Sequence, residues 1–143
     1  MRLTRAGEYA VRCVLYLSFQ KEGAVVSRQD ISQQMDIPNQ FLGKIAQQLA
    51  RVGLIEIVQG AKGGYRLRLS PSDISLLTVV EAVIGPIFLN DCLIRPESCN
   101  RSLSCSVNKI WEKARNQLRE TLQGVSFRQL LQEEICLLPN FRP

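Results

Sequence analysis

The strongest constraint on this chain's fold is the order of elements between Ser27 and Leu69. Two short segments with apolar residues at helical spacing are broken at "DIPNQ" and followed at once by two strand-like runs around "GAKGG". Ser27, Arg28, Gln29 and Asp30 form a capping-box pattern opening the first segment, which carries Ile31 and Met35 inward. Pro38 ends that stretch and suits the first turn of the next helix. There Phe41, Leu42, Ile45, Leu49 and Val52 share one side, and Gly53 stops the helix. "LIEIVQ" and "YRLRLS" read as strands, the second with Tyr65, Leu67 and Leu69 alternating against Arg66 and Arg68. Two short helices meeting at a tight turn, with a glycine-tipped hairpin behind them, predict a winged helix-turn-helix.

The polar face of the second short helix presents Asn39, Gln40, Lys44, Gln47, Gln48 and Arg51, side chains suited to adenine edges, guanine edges and phosphates. Arg28 opens the helix before it. Gln59, Lys62 and Arg66 lie on the wing, with Lys62 at its tip, placed for the backbone or the minor groove. A net charge of +5 agrees with a polyanionic partner. The combination of helix, wing and charge points to double-stranded DNA. Gly43 stands mid-helix, where glycine costs about 1 kcal/mol relative to alanine; close approach to DNA is one reason to have it and simple tolerance is the other.

Upstream, Thr4 can cap a first helix whose apolar positions Ala6, Tyr9, Ala10, Cys13, Val14 and Leu17 recur at helical spacing. Cys13 falls on the buried stripe and reads as a small core residue. Glu8 falls on the opposite face, four residues before Arg12, and its simplest role is a surface ion pair. Beyond Pro71 another helix carries Leu77, Val80, Val83 and Ile84 and ends at "GP". A long helix follows later, with Val107, Trp111, Ala114, Leu118, Thr121 and Val125 alternating four and three apart, the spacing of a coiled-coil seam. A chain of 143 residues has little core left to cover that seam, so Val107, Trp111, Ala114 and Leu118 are expected to form a homodimer interface. Ser126 to Gln129 is a second capping-box pattern. It begins a last short helix with Leu130, Leu131 and Ile135, leaving Cys136 near the end as a structural or incidental thiol.

Cys92, Cys99 and Cys105 gather in "DCLIRPESCNRSLSC", between two helices, at spacing Cys-x6-Cys-x5-Cys. No apolar run approaches the roughly 20 residues of a membrane span. The opening "MRLTRAGEYAVRC" also lacks the apolar core and cleavage site of a signal peptide. The expectation is a cytoplasmic chain with no membrane partner, and in a reducing compartment clustered cysteines point to metal or redox chemistry. The chain has no histidine. That removes Ser-His and Cys-His catalytic arrangements and every imidazole ligand, and no catalytic residue or small-molecule substrate is read from the sequence. Zinc is disfavoured because its structural sites use paired Cys-x2-4-Cys knuckles and a fourth sulfur or nitrogen donor. Three soft thiolates spread along a loop suit an iron-sulfur cluster, with a carboxylate, a further thiol such as Cys136, or solvent in the remaining position.

Along essentially its full length the sequence resembles the IscR and NsrR family of bacterial iron-sulfur transcription regulators. The likeness is carried by "MRLTRAGEYAVRCVLYL", "IPNQFLGKIAQQLARVGLI", "GAKGGYRL", "LLTVVEAVIG" and the three cysteines before a long helix. The resemblance implies a non-enzymatic homodimer whose long helices pair, with Cys92, Cys99 and Cys105 holding a [2Fe-2S] or [4Fe-4S] cluster near the subunit boundary. Some members add a histidine three residues after the last cysteine, where this chain has Asn108; others add an acidic residue from the partner's first helix, which matches Glu8. Two departures touch the DNA face: Gln59 stands where an arginine often enters the minor groove, and Gly43 where some members place glutamate. The expected fold is mainly α with a small β-wing. It divides into a winged helix-turn-helix domain at 1–84, a cysteine loop at 85–106, a dimerisation helix at 107–125 and a C-terminal short helix and tail at 126–143. The expected function is repression from a two-fold-symmetric operator under control of the cluster. A cluster-free thiol switch on the same DNA-binding dimer is the alternative, and an electron-transfer or enzyme subunit using the wing for protein contacts is a third reading.

Overall fold

A computed structural model describes residues 3–133. Helix α1 (Arg5–Phe19) opens at Thr4, whose hydroxyl accepts the Gly7 N–H, and buries Ala10, Cys13, Val14 and Leu17. Helices α2 (Arg28–Gln34) and α3 (Asn39–Arg51) form the helix-turn-helix. Ser27 caps α2 by accepting from the Asp30 N–H at 3.1 Å. Pro38 sits one position earlier than expected, as the residue preceding α3 rather than inside its first turn. The buried stripe of α3 is Leu42, Ile45, Ala46 and Leu49. Phe41 and Val52, expected on that stripe, are exposed. Phe41 lies at the edge of the stripe, where its ring meets Tyr9 at 6.0 Å between centroids, and Val52 is the residue on which the helix ends.

Strands β1 (Ile55–Val58) and β2 (Gly64–Leu67) pair antiparallel, with Glu56 opposite Arg66 and Ile57 opposite Tyr65. The second strand is shorter than its alternating pattern predicted: Arg68 still donates its N–H to the Leu54 carbonyl at 3.0 Å, but Leu69 has left the sheet and is exposed. Val26 adds a one-residue bridge on the far side of β2, exchanging two hydrogen bonds of 2.9 and 2.8 Å with Tyr65. This bridge fastens the wing to the start of α2. It requires Gly64, whose φ is +157° and whose missing Cβ would stand 2.0 Å from the Val26 carbonyl oxygen.

Helix α4 (Leu76–Ile84) packs on α1 and leads through the cysteine loop into α5 (Ser106–Gln123), after which Ser126 and Gln129 form the expected capping box at the start of α6 (Phe127–Gln132). The chain returns to the first core here. Phe127 donates its N–H to the Ile74 carbonyl at 3.0 Å and is completely buried with Val14, Ile31, Leu49 and Ile55. Thus α6 closes the winged domain rather than trailing from it. Ile135 and Cys136 lie outside the described residues. No helix among the described residues is long and apolar enough to cross a membrane.

Candidate DNA-binding face and cysteine loop

On α3, Gln40, Lys44, Gln47 and Arg51 are exposed and fall within about 60° of rotation around the helix axis. Asn39 is exposed in the first turn. Gln48, expected with them, is turned aside: its Nε2 donates to the Val83 carbonyl at 3.4 Å, tying α3 to α4. Gln59 and Lys62 are exposed at the wing. Arg66 forms an exposed ion pair across the hairpin, its Nε and an Nη approaching one Glu56 carboxylate oxygen at 2.9 and 2.8 Å. The hairpin register makes that pair, and counting back from the glycine tip would have revealed it. Arg28 reaches from α2 to donate to the Asn39 carbonyl in α3.

The cysteine loop runs through three short 3-10 turns, Asp91–Leu93, Pro96–Ser98 and Ser102–Ser104. Ser102 Oγ pins the middle by donating to the Pro96 and Cys99 carbonyls at 2.6 and 2.9 Å. Cys92 and Cys105 are half-buried and Cys99 is exposed. Asn108, in the first turn of α5, donates its side-chain N–H to Cys92 Sγ at 3.2 Å. Among the described residues no three cysteine or carboxylate groups come together as a metal site. The donor chemistry of the loop, three thiols with an amide donor at one of them, is of the kind that suits a soft-metal cluster.

Glu8 is paired with Arg12 on α1, the surface contact its spacing implied. Arg12 also donates to the Met35 carbonyl at 3.3 Å and lies 5.6 Å from the Tyr9 ring centre. Both Glu8 and Arg12 line an apolar groove with Leu3, Val80, Ile84 and Leu122. Cys13 is separate from all of this: it is completely buried, and burial pushes its thiol up to about 12, so it stays protonated at neutral pH.

Helix α5 has no buried residue along its 18 positions. Leu118 and Leu122 lean on the cluster of Leu77, Val80 and Ile87, and Arg119 pairs with Glu81 of α4. Toward the cysteine loop, Val107 is 51% exposed, Ile110 61%, Trp111 40% and, just before the helix, Leu103 94%. The seam residues therefore divide, with Leu118 held partly by its own chain and Val107 and Trp111 uncovered.

An exposed polar arc on the second helix of a helix-turn-helix, flanked by a glycine-tipped wing, defines a winged helix-turn-helix transcription regulator. The sequence matches the Rrf2 family, described as iron-dependent transcriptional regulator, over residues 3–133. The HTH-type transcriptional regulator IscR of Aliivibrio salmonicida is 30% identical over 131 residues, spanning 92% of this chain and 77% of that protein. Among solved structures, IscR of T. potens superposes with a TM-score of 0.74 at 23% identity, over 94% of this chain and 89% of the other. CymR, the global cysteine regulator of B. subtilis, superposes with a TM-score of 0.75 at 22% identity, over 94% and 99%. The chain belongs to the Rrf2 family of transcriptional regulators and is of the IscR type.

Proposed function

We propose that the chain is a homodimeric repressor whose affinity for a two-fold-symmetric DNA operator is set by an iron-sulfur cluster, [2Fe-2S] or [4Fe-4S]. The observation that carries this reading is the placement of three thiols on one loop leading directly into a helix whose apolar face is uncovered. Cys92, Cys99 and Cys105 hold the cluster, and Glu8 of the partner subunit supplies the remaining donor. When bound, the cluster brings iron that reacts with oxygen or nitric oxide. Releasing Glu8 from Arg12 is inexpensive, since an exposed pair of this spacing is worth about 0.3–0.5 kcal/mol. Val107, Ile110 and Trp111 pair across the dimer axis. Gln40, Lys44, Gln47 and Arg51 enter the major groove, with Asn39 at the helix start and Gln59 and Lys62 on the flanking wing. The stretch 1–84 is the DNA-binding part, 85–106 the cluster loop, 107–125 the dimerisation segment built on α5 and 126–143 a terminal segment whose helix α6 locks onto the winged core. The chain acts in the cytoplasm without enzymatic activity or a small-molecule substrate.

Anaerobic purification with iron and sulfide analysis tests the cluster. Bound iron and sulfide, lost in each of Cys92→Ser, Cys99→Ser and Cys105→Ser and kept in Cys13→Ser, support it; protein without either refutes it. The exposure of Cys99 and the separation of the three thiols favour one competing reading, a cluster-free thiol switch. That reading requires oxidant-dependent DNA binding by iron-free protein.

A further inference from the structure

Gly43 lies on the shoulder of α3 between its buried stripe and its polar arc, in a row with Asn39 and Gln47 at successive spacings of four. A glycine inside a helix costs about 1 kcal/mol relative to alanine, so its position calls for a local cause. What lies over it is the side-chain end of Arg28 from α2. A Cβ at Gly43 would stand 3.1 Å from one Nη of Arg28, 3.2 Å from its Cζ and 3.4 Å from the other Nη. The guanidinium of Arg28 therefore lies against the bare Cα of Gly43, and it donates to the Asn39 carbonyl one turn earlier.

Arg28 is carried by α2, yet its charged end is attached to α3 at two points. It is exposed, and among the described residues it has no carboxylate partner. One donor is used on Asn39, which leaves most of the five N–H groups of a planar, permanently charged fork for another acceptor. A guanidinium fixed to the recognition helix moves with that helix into the groove, whereas an arginine fixed only to the first helix would stay with the backbone that this helix crosses. Of the base edges in the major groove, guanine with its O6 and N7 acceptors matches this fork best.

We propose that Gly43 and Arg28 form a single recognition element: Arg28 supplies a guanine contact at the place where α3 has no side chain, and the bare Gly43 fixes where that guanidinium sits. The inference rests on the reading of α3 as the DNA-reading helix. It makes Gly43 a positioning residue and Arg28 a specificity-determining one. Substituting glutamate at Gly43 would fill the seat and add a charge that recaptures Arg28, removing it from DNA twice over.

The test uses the full chain. A preferred duplex is selected from a randomised pool, and affinities are measured on that duplex, on its single-base-pair variants and on a scrambled duplex at two salt concentrations. Arg28→Ala should lose about tenfold or more on the selected duplex relative to the scrambled one, with the loss confined to one G·C pair in each half-site. Gly43→Ala should lose discrimination at the same pair, and the double variant should be no worse there than Arg28→Ala. Arg28→Lys keeps the charge but not the fork, and should lose discrimination while melting at the wild-type temperature. Unchanged discrimination in Arg28→Ala, or an equal loss on selected and scrambled duplexes, overturns the proposal. A wild-type chain that selects no sequence at all would instead sink the DNA-reading role of α3, a distinguishable failure.

Discussion

Replacing Gly64 by alanine should detach the wing from the helix-turn-helix core. The added Cβ would stand 2.0 Å from the Val26 carbonyl oxygen and 2.9 Å from the Ser27 Cα, all backbone that cannot rotate away. Relief requires separating β2 from Val26, which breaks the two hydrogen bonds of 2.9 and 2.8 Å between Val26 and Tyr65. At about 1 kcal/mol net for each, and about 1–2 kcal/mol for holding alanine at a φ of +157°, the loss is roughly 3–4 kcal/mol. With a urea slope of about 2 kcal/mol per molar, the unfolding midpoint should fall by about 1.5–2 M. Gly60→Ala is the control. Its φ is +107° but nothing lies within 4 Å of the added carbon, so strain alone should cost about 1–2 kcal/mol. Urea titrations followed by circular dichroism compare the two. Equal midpoints for Gly64→Ala and Gly60→Ala would refute the claim that contact with Val26, rather than backbone conformation, holds the wing.

Ile110→Glu and Trp111→Glu should each yield monomers in sedimentation velocity without loss of helical content, because both side chains are exposed in the single chain and a charge there is costly only across an apolar interface. Intact dimers in both variants would move the interface off α5. Gln40→Ala should relax preference at particular base pairs by about 1–3 kcal/mol while Lys62→Ala weakens all duplexes alike and lowers the salt slope by about 1, as binding titrations at several salt concentrations would show. Cys13 should resist iodoacetamide at pH 8 in the folded, iron-free protein while the exposed Cys99 reacts. Between pH 9.0 and about 12 only the unfolded chain ionises Cys13, so its contribution to stability is complete below 9.0 and declines as pH rises through that window. Rapid labelling of Cys13 at pH 8, or stability unaffected by Cys13→Ala across that window, would contradict its burial.

Features legible in the sequence were those fixed locally. The caps at Thr4, Ser27 and Ser126, the breaks at Pro38 and Gly53 and the glycine-tipped hairpin each depend on residues within a few positions of one another. Helical spacing gave most of the core but erred at its edges, where Phe41 and Val52 are apolar yet face outward. Long-range contacts were not visible. Nothing near Phe127 announces that it enters a core built from α1, α2 and α3, and nothing near Gln48 announces a carbonyl on α4. The pairing of Arg66 with Glu56 follows from the hairpin register and could have been found from it, as an exposed ion pair beside the wing. The spacing of Cys92, Cys99 and Cys105 was legible but their relative placement was not, because a loop of short turns leaves side-chain directions undetermined by local pattern.

On the proposed function, an iron-sulfur cluster on the Cys92, Cys99 and Cys105 loop sets DNA affinity. The most direct measurement is an anaerobic binding titration of one selected duplex with cluster-loaded protein and with the same preparation after gentle chelation, iron and sulfide being assayed in each. Linkage requires the two states to differ in affinity by a coupling free energy of about 1–3 kcal/mol, or roughly 5–150-fold. A difference of tenfold or more, abolished in Cys99→Ser, is the predicted result. Equal affinities in the two states would contradict the account, however tightly either one binds.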